Sequence, residues 1–431
     1  MASVPTSPST VSLAESGPTS EKALPTRVLA MAAFFWVLLL PPQFNAQIGT
    51  VVLPAYRILL FAVMLLVIIT IIRGQLRWTL PDTLVCGIGL WIIIALFATM
   101  DVETAIQGGG SQFIDIVISY LCGRIAIRSP RDFRIFLVLI APALGFIALM
   151  LALESITHSF IVQPLASAVT GQPVRLGAVE RLGLMRAPGP FPHSILAGIF
   201  FGSFLPLYAL SGLRGWPKIT GFIASLCSFF TISSAALLAL LAGFGLIFYS
   251  WLTEQISGIS WRLFVLACAV VMFVLELATK SGAFVLLVRY AALNSVSSYN
   301  RILIWNHGSA SVRNHPFFGV GYNDWERPFW MLESVDNYWL WLAIQYGALP
   351  SILLLAATVV AVYRLGRAAS HSPRADRHLR MGVAISYSIF ALGIISVAIW
   401  LSALVWFYAL LGITVSLGMA HRSDRQSQTA D

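Results

Sequence analysis

The sequence predicts an all-α integral membrane protein with about twelve transmembrane helices, two large outer loops and both termini on the cytoplasmic side. The first observation is composition: of 431 residues, 58% are hydrophobic and only 10% are charged. The mean hydropathy is +0.83, whereas a soluble domain carries roughly 25% charged residues. This composition excludes an ordinary soluble domain. The second and third observations are the apolar runs and the placement of the basic residues.

The apolar runs are long enough to cross a bilayer, which requires about 20 residues per helix. They predict spans near 28–44, 48–72, 83–100, 113–127, 133–154, 194–212, 217–233, 235–252, 262–279, 337–363, 381–399 and 402–420. The membrane domain therefore extends over residues 28–420. Residues 1–27 are rich in Ser, Thr and Pro and predict a disordered cytoplasmic tail, and 421–431 form a second tail.

The basic residues alternate along the chain in the way that a fixed orientation requires. Arginines such as Arg73, Arg128 and Arg364 lie in every second short loop, whereas the intervening loop at 101–112 is acidic. Short loops rich in Arg and Lys stay in the cytoplasm. Both termini are therefore predicted to be cytoplasmic.

Two predicted outer segments, about 157–193 and 280–335, are too long to be simple connections, and such loops are usually functional. Both carry arginine: Arg181 and Arg186 in the first, and Arg289, Arg301 and Arg313 in the second. The planar guanidinium group suits phosphate. Repeated arginine on the outer face therefore indicates an anionic ligand.

The second loop contains an unusual stretch, RNHPFFGVGYNDW, at 313–325. The preceding residues predict a helix with Ser297 or Ser298 as N-cap, and His315-Pro316 is expected to end it. Gly319 and Gly321 then permit a tight turn. Aromatic residues of this loop, among them Trp305, Tyr322 and Trp325, suit either an interfacial belt or a stacking surface for sugar rings.

Ionisable residues in or beside the spans are costly and have individual interpretations. Arg57 is either half of an internal ion pair or a ligand for an anion in the outer leaflet. Arg124 is expected to snorkel or to cap a helix, and Glu154 to be solvated. Asp336 is either the N-cap of the tenth span or a general base. No pattern typical of a metal site occurs, so neither a metal nor a cofactor is predicted.

Four segments appear in an order that resembles one family: RLGLMRAPGPFPHSILAG at 181–198, TISSAALLALLAG at 231–243, the helix and turn at 301–325, and VDNYWLWLAIQYG at 335–347. The strongest element is Arg301 and Trp305 followed by His315-Pro316 and Gly319-x-Gly321. This order resembles the O-antigen ligase and O-antigen polymerase superfamily of bacterial polysaccharide assembly.

The resemblance implies a metal-independent glycosyltransferase of the bacterial inner membrane, with its active site on the periplasmic face. Its partners would be a glycan donor on polyprenyl diphosphate, a glycan acceptor, membrane lipids and other polysaccharide-assembly proteins, and not nucleic acid. The residues then have implied roles: Asp336, Arg301 and Arg181 in catalysis; Arg186, Arg313, Arg289 and Arg57 on the diphosphate; Trp305, Tyr322 and Trp325 on sugars; and His315, Pro316, Gly319 and Gly321 in loop geometry.

The chain departs from the family pattern at two places, and the first departure favours polymerisation of repeat units of an O-antigen or exopolysaccharide over ligation to lipid A-core. Ligases carry His where this chain has Asp336, and many members carry Ser-Arg-Gly near 233–236, where this chain has Ser-Ser-Ala-Ala. The general base remains open among Asp336, His315 and Glu180. A transporter or flippase of lipid-linked sugars is the alternative of another class, although such proteins typically have inverted repeats and short loops.

Overall fold

The computed structural model describes residues 24–49, 51–174, 176–279, 282–283, 285–286 and 295–419. Nearly all of the predicted N-terminal tail, the C-terminal tail and Arg289 lie outside the described residues. The described part is mostly helical. Its helices are α1 Thr26–Leu38, α2 Ala55–Ile72, α3 Leu80–Thr99, α4 Val102–Phe113, α5 Ser119–Ala126, α6 Pro130–Thr157, α7 Val162–Thr170, α8 Ser194–Gly202, α9 Phe204–Ala209, α10 Trp216–Leu226, α11 Ser234–Gln255, α12 Trp261–Ala278, α13 Ser295–Asn314, α14 Tyr338–Tyr346, α15 Ala348–Ser370, α16 Arg374–Gly393 and α17 Ser402–Met419.

Seven of these helices, α2, α3, α6, α11, α12, α15 and α17, are long and apolar enough to cross a membrane. The predicted multi-pass helical membrane protein is therefore confirmed. The number of twelve spans and the orientation in the membrane stay predictions.

Several predicted spans are not single helices. A five-residue π-helical segment, Ile114–Ile118, joins α4 to α5, and the span predicted at 194–212 is divided into α8 and α9. The span predicted at 337–363 breaks at Gly347 into α14 and α15, because Gly347 has a φ of +82° that no helix contains. A short antiparallel hairpin, β1 Asn45–Ile48 with β2 Val51–Pro54, separates the first two spans.

The core of the bundle is aromatic and centres on α17. Trp406 of this helix is fully buried and stacks on Phe204 with ring centroids 5.1 Å apart. The same indole meets Phe35 of α1 edge to face at 5.2 Å. Offset and edge-to-face contacts of this kind stabilise beyond their buried area. The packing fixes α1, α9 and α17 relative to one another.

Ion pairs connect the helix ends next to the short basic loops. The pairs are Arg27–Asp132 at 2.9 Å, Arg124–Asp82 at 3.1 Å, Arg134–Asp376 at 2.8 Å and Arg374–Glu254 at 3.3 Å. The expectation that Arg124 snorkels or caps a helix is wrong, because its guanidinium is buried against the carboxylate of Asp82. The two long loops lie at the other ends of these helices.

Candidate functional site between the two long loops

The first long loop presents two arginines from one face of a hairpin. Strands β3 (Glu180–Arg181) and β4 (Leu184–Met185) pair with Arg181 opposite Leu184, and the amide of Arg186 donates to the carbonyl of Val179 at 3.0 Å. Because successive strand residues alternate between faces, Arg181 and Arg186 lie on the same face. The two-residue turn has positive φ at Leu182 and Gly183. Because it reverses the chain, two arginines five residues apart in the sequence lie on one face of the hairpin.

The backbone after Arg186 is held in place at three points. The amide of Ala187 donates to the carbonyl of Phe230 at 3.2 Å. The amide of Gly189 donates to Glu154 at 2.9 Å, and the Gln163 side chain donates to the carbonyl of Phe191 at 2.6 Å. Glu154 is fully buried, so the expectation that it is solvated is wrong. Arg186 therefore extends from a fixed loop.

The second long loop contributes Arg301 from helix α13. A stripe of this helix faces α14: Ile304 is buried, and a Cβ on Gly308 would lie only 2.9 Å from Leu340. Arg301 continues that stripe by one turn, since residues three and four apart share a face. Its Nε is buried and has no hydrogen-bond partner among the described residues. The helix begins at Ser295, so the predicted N-cap at Ser297 or Ser298 is wrong.

Asp336 lies close to Arg301, immediately before helix α14. The N-cap of α14 is Asn337, whose side chain accepts a hydrogen bond from the amide of Leu340 at 3.0 Å. The alternative of Asp336 as N-cap is therefore wrong, and its carboxylate is available for another role. Asp336 lines a narrow cleft together with Arg301 and Trp305.

These four side chains converge from the two loops into what we call the arginine cluster: Arg181, Arg186, Arg301 and Asp336. Burial, together with the nearby charges of Arg181 and Arg301, lowers the pKa of Arg186 to about 10. Burial also lowers the pKa of Arg301, although Asp336 opposes the shift. Burial raises the pKa of Asp336, and Arg301 opposes that shift. The three guanidinium groups lie near one another, and the carboxylate of Asp336 interacts with Arg301, so the cluster carries a surplus of positive charge.

His193 is a neighbour of this cluster that the sequence interpretation did not select. Burial together with the charges of Arg186 and Arg181 lowers the pKa of His193 to about 4, so its ring is neutral at physiological pH. Its Nδ1 accepts a hydrogen bond from the amide of Ile195 at 3.1 Å. The proton of the neutral ring is therefore on Nε2, which makes that nitrogen a donor. The signal in the sequence was its position seven residues after Arg186.

The glycine turn of the second loop docks on the break between α14 and α15. The amides of Val320 and Gly321 donate to the carbonyls of Ile344 and Gln345, both at 2.9 Å. A Cβ on Gly347 would lie 1.8 Å from the carbonyl oxygen of Phe317. The close approach of the two backbones therefore requires glycine at 347. In return, the turn supplies hydrogen-bond partners to helix ends that would otherwise lack them.

The predicted geometry residues of this turn have distinct positions. Gly319 and Gly321 both have positive φ, +67° and +64°, and the carbonyl of Pro316 accepts a hydrogen bond from the amide of Ala348 at 2.9 Å. His315 lies on the surface, 3.4 Å from Glu326. On α3, the Trp91 indole donates to the carbonyl of Tyr346 at 3.0 Å, which fastens the turn to the bundle.

The three aromatic residues predicted to stack on sugars lie in three different places. Trp305 lines the cleft beside Arg301 and Asp336, so its position agrees with the prediction. Tyr322 packs over Gly108 of α4, where an added Cβ would lie 2.5 Å from its hydroxyl. Trp325 is only 5% exposed and donates to the carbonyl of Glu333 at 3.0 Å. Its sugar-binding assignment is wrong, because the ring belongs to the small core under the loop.

The remaining predicted cations and the alternative base lie apart from the cluster. Arg57 forms a two-pronged pair with Asp115, with Nη2 at 2.6 Å and Nε at 3.0 Å from its oxygens, which is the structural alternative. Arg313 follows Arg301 by twelve residues on α13, roughly 18 Å along the helix at about 1.5 Å per residue. Glu180 is exposed and paired with His158 at 3.0 Å.

The comparison with known families matches the part of the chain that holds the second long loop and its half of the arginine cluster. Residues 219–359 match the family model described as O-antigen ligase. The matched segment includes α13, the glycine turn, Asp336 and the break at Gly347, whereas Arg181 and Arg186 precede it. None of the curated proteins matches the chain. The match confirms the predicted resemblance over about a third of the chain: residues 219–359 are similar to the O-antigen ligase family, and this similarity suggests a membrane enzyme of polysaccharide assembly.

Proposed function

We propose that the protein polymerises oligosaccharide repeat units of an O-antigen or exopolysaccharide that are carried on polyprenyl diphosphate, on the periplasmic face of the bacterial inner membrane. The observation that supports this function best is the arginine cluster between the two long loops. A diphosphate leaving group develops negative charge as its bond breaks, and fixed cations in a partly desolvated site stabilise that charge. Three guanidinium groups around one carboxylate suit this task without a metal ion.

In the proposed reaction the hydroxyl of the acceptor sugar gives its proton to Asp336. Its oxygen forms a bond to the anomeric carbon of the donor, on the face opposite the diphosphate. The bond between that carbon and the diphosphate oxygen breaks, and its electron pair leaves with the polyprenyl diphosphate. Arg186 and Arg301 hold the diphosphate, Arg181 adds positive charge, and His193 donates a hydrogen bond through Nε2.

The general base in this proposal is Asp336 because of its surroundings. A base must accept a proton near physiological pH, and burial raises the pKa of this carboxyl towards that range. His315 and Glu180 are exposed and engaged with Glu326 and His158. Trp305, beside Asp336, would stack on a sugar of the donor or the acceptor.

Ligation of a finished glycan onto lipid A-core or another acceptor is the second candidate, favoured by the description of the matching family. Its chemistry would use the same cluster. Asp336 in place of the ligase His favours polymerisation.

The lipid-linked glycans of a strain that lacks this protein distinguish the candidates. Complementation would use the wild type, Arg301→Ala and, as a matched control, Arg313→Ala, an exposed arginine at the far end of α13. A polymerase predicts single repeats that accumulate on the lipid, rescue by Arg313→Ala and no rescue by Arg301→Ala. Long polymer still on its lipid carrier would indicate a ligase. Repeats trapped on the cytoplasmic leaflet would indicate a flippase and contradict both candidates.

A further inference from the structure

A second polar cavity lies at the end of the bundle opposite the arginine cluster. It has a volume of about 560 Å³ and is lined by the ends of α11 and α15 and the beginnings of α12 and α16. We call it the distal groove. Helix α11 begins beside the first long loop and has 22 residues, so at about 1.5 Å per residue the groove lies roughly 33 Å from the cluster. The two cavities are therefore separated by about the thickness of a bilayer core.

The acidic residues at the distal groove are already matched. Glu254, which lines it, lies 2.7 Å from the Nε2 of His378 and 3.3 Å from Arg374. Asp376, next along α16, is paired with Arg134 at 2.8 Å. Neither of these two carboxylates is paired with Arg377.

Arg377 lines the groove, and its Nε is shielded from solvent with no hydrogen-bond partner among the described residues. A buried donor without a partner costs free energy, so it indicates that a hydrogen-bond acceptor is missing from the site. A guanidinium group prefers a planar pair of oxygens such as those of a phosphate. The groove therefore suits an anionic oxygen ligand.

The walls of the groove indicate whether the phosphate group would belong to a lipid or to a free ion. α11, α12 and α15, which form them, are three of the helices long and apolar enough to cross a membrane. Trp261 forms one side, and Trp is typical of membrane–water interfaces. None of the apolar span of α12 is buried, so the groove borders a helix that faces lipid. A volume near 560 Å³ also far exceeds the roughly 30 Å³ of one water molecule.

We propose that the distal groove binds the phosphate headgroup of an anionic phospholipid, with Arg377 on the phosphate and the acyl chains along α12. The shared chemistry is a phosphate group with net negative charge, which a free phosphate ion also offers. The apolar border favours the lipid. Basic residues near an anionic membrane surface are attracted to its headgroups. This site is independent of the proposed glycan chemistry.

Native mass spectrometry of the full chain in detergent tests the proposal with phosphatidylglycerol, phosphatidylcholine and inorganic phosphate as probes. Arg377→Gln should weaken phosphatidylglycerol binding at least fivefold. Arg364→Gln, an exposed arginine of α15 outside the groove, should change it less than twofold. Equal losses in both variants would overturn the site. Phosphatidylcholine bound as tightly, or inorganic phosphate bound where the lipid is not, would overturn the anionic lipid as occupant.

A second variant tests the volume of the groove without touching its charge. Gly366 lines the groove, and a Cβ there meets nothing within 4 Å, so Gly366→Leu should fill the space without a backbone clash. Binding should fall at least threefold. Gly245→Leu on α11, where a Cβ also meets nothing within 4 Å, is the matched control and should bind as the wild type does. Unchanged binding in Gly366→Leu would contradict the groove as the site.

Discussion

Arginine has two opposite roles in this protein, and the difference lies in how many carboxylates surround it. Arg57 and Arg124 each face one buried carboxylate, Asp115 at 2.6 Å and Asp82 at 3.1 Å. In the arginine cluster, by contrast, the charges of Arg181, Arg186 and Arg301 lie near one another, and the one carboxylate, Asp336, interacts with Arg301. A matched pair holds helices together, whereas an unmatched group of cations repels itself and needs an anion. The first arrangement serves the fold and the second suits a ligand.

The largest expected effect comes from removing the only carboxylate of the cluster. Asp336→Asn cannot accept the proton, so turnover should fall about 10²–10⁴-fold, the usual contribution of a general base. Asp336→His, which keeps a base, should retain much more activity. Initial rates on lipid-linked repeats measure both variants, and equal activity of Asp336→Asn and the wild type would remove Asp336 from catalysis.

The pH profile of the wild type is a second test of Asp336 as the general base. A base must be deprotonated to act, so activity should fall as the pH falls through the pKa of Asp336. Because burial raises that pKa, this acid limb should lie above the ordinary value of about 3.9. Arg301 opposes the shift, so loss of its charge should move the limb to higher pH. A limb that does not move in Arg301→Ala would contradict the coupling.

The matched pair should respond in stability rather than in chemistry. Arg57→Ala leaves Asp115 buried without its partner, and such a broken pair costs about 3–5 kcal/mol. Thermal unfolding in detergent measures the loss. The double variant Arg57→Met/Asp115→Leu, which removes both charges, should recover most of it. A large loss of activity at unchanged stability would instead assign Arg57 to the diphosphate.

Arg301→Ala should show the reverse pattern. Loss of one preorganised cation at a charged leaving group costs about 10²–10³-fold in turnover. Because its guanidinium lies among like charges, thermal stability should stay within a few degrees of the wild type. Arg313→Ala, on the same helix, should leave both activity and stability unchanged. A strongly destabilised Arg301→Ala would mean that Arg301 belongs with the matched arginines.

The smallest expected effect on turnover concerns the scaffold that brings Arg301 to Asp336. Gly347→Ala places a Cβ 1.8 Å from the carbonyl oxygen of Phe317 at a φ of +82°. The backbone conformation alone costs about 1–3 kcal/mol, and the clash with a backbone oxygen adds to that cost. Unfolding temperature and turnover should both fall. Gly245→Ala, a helix position with open space around it, should be neutral or slightly stabilising. Full activity of Gly347→Ala would show that the docked turn does not position the cluster.

Features that depend on composition and on neighbouring residues along the chain could be predicted from the sequence. Apolar runs predicted a multi-pass helical membrane protein, because a bilayer selects helices by length and hydropathy. The motif order predicted the resemblance to the O-antigen ligase family, and the glycines predicted a turn, because positive φ is a local property. Arg181, Arg186, Arg301 and Asp336 were selected from residue type, loop placement and that resemblance.

Which side chains contact one another could be read only from the three-dimensional structure. Trp325 has the composition of a sugar-stacking residue, but packing closes the loop core over it. Arg57 had two open alternatives until Asp115, 58 residues away, lay within 2.6 Å. His193 was unremarkable until the hairpin brought Arg181 and Arg186 beside it. Contacts between distant residues depend on how helices pack, and a single sequence contains that information only through the whole fold.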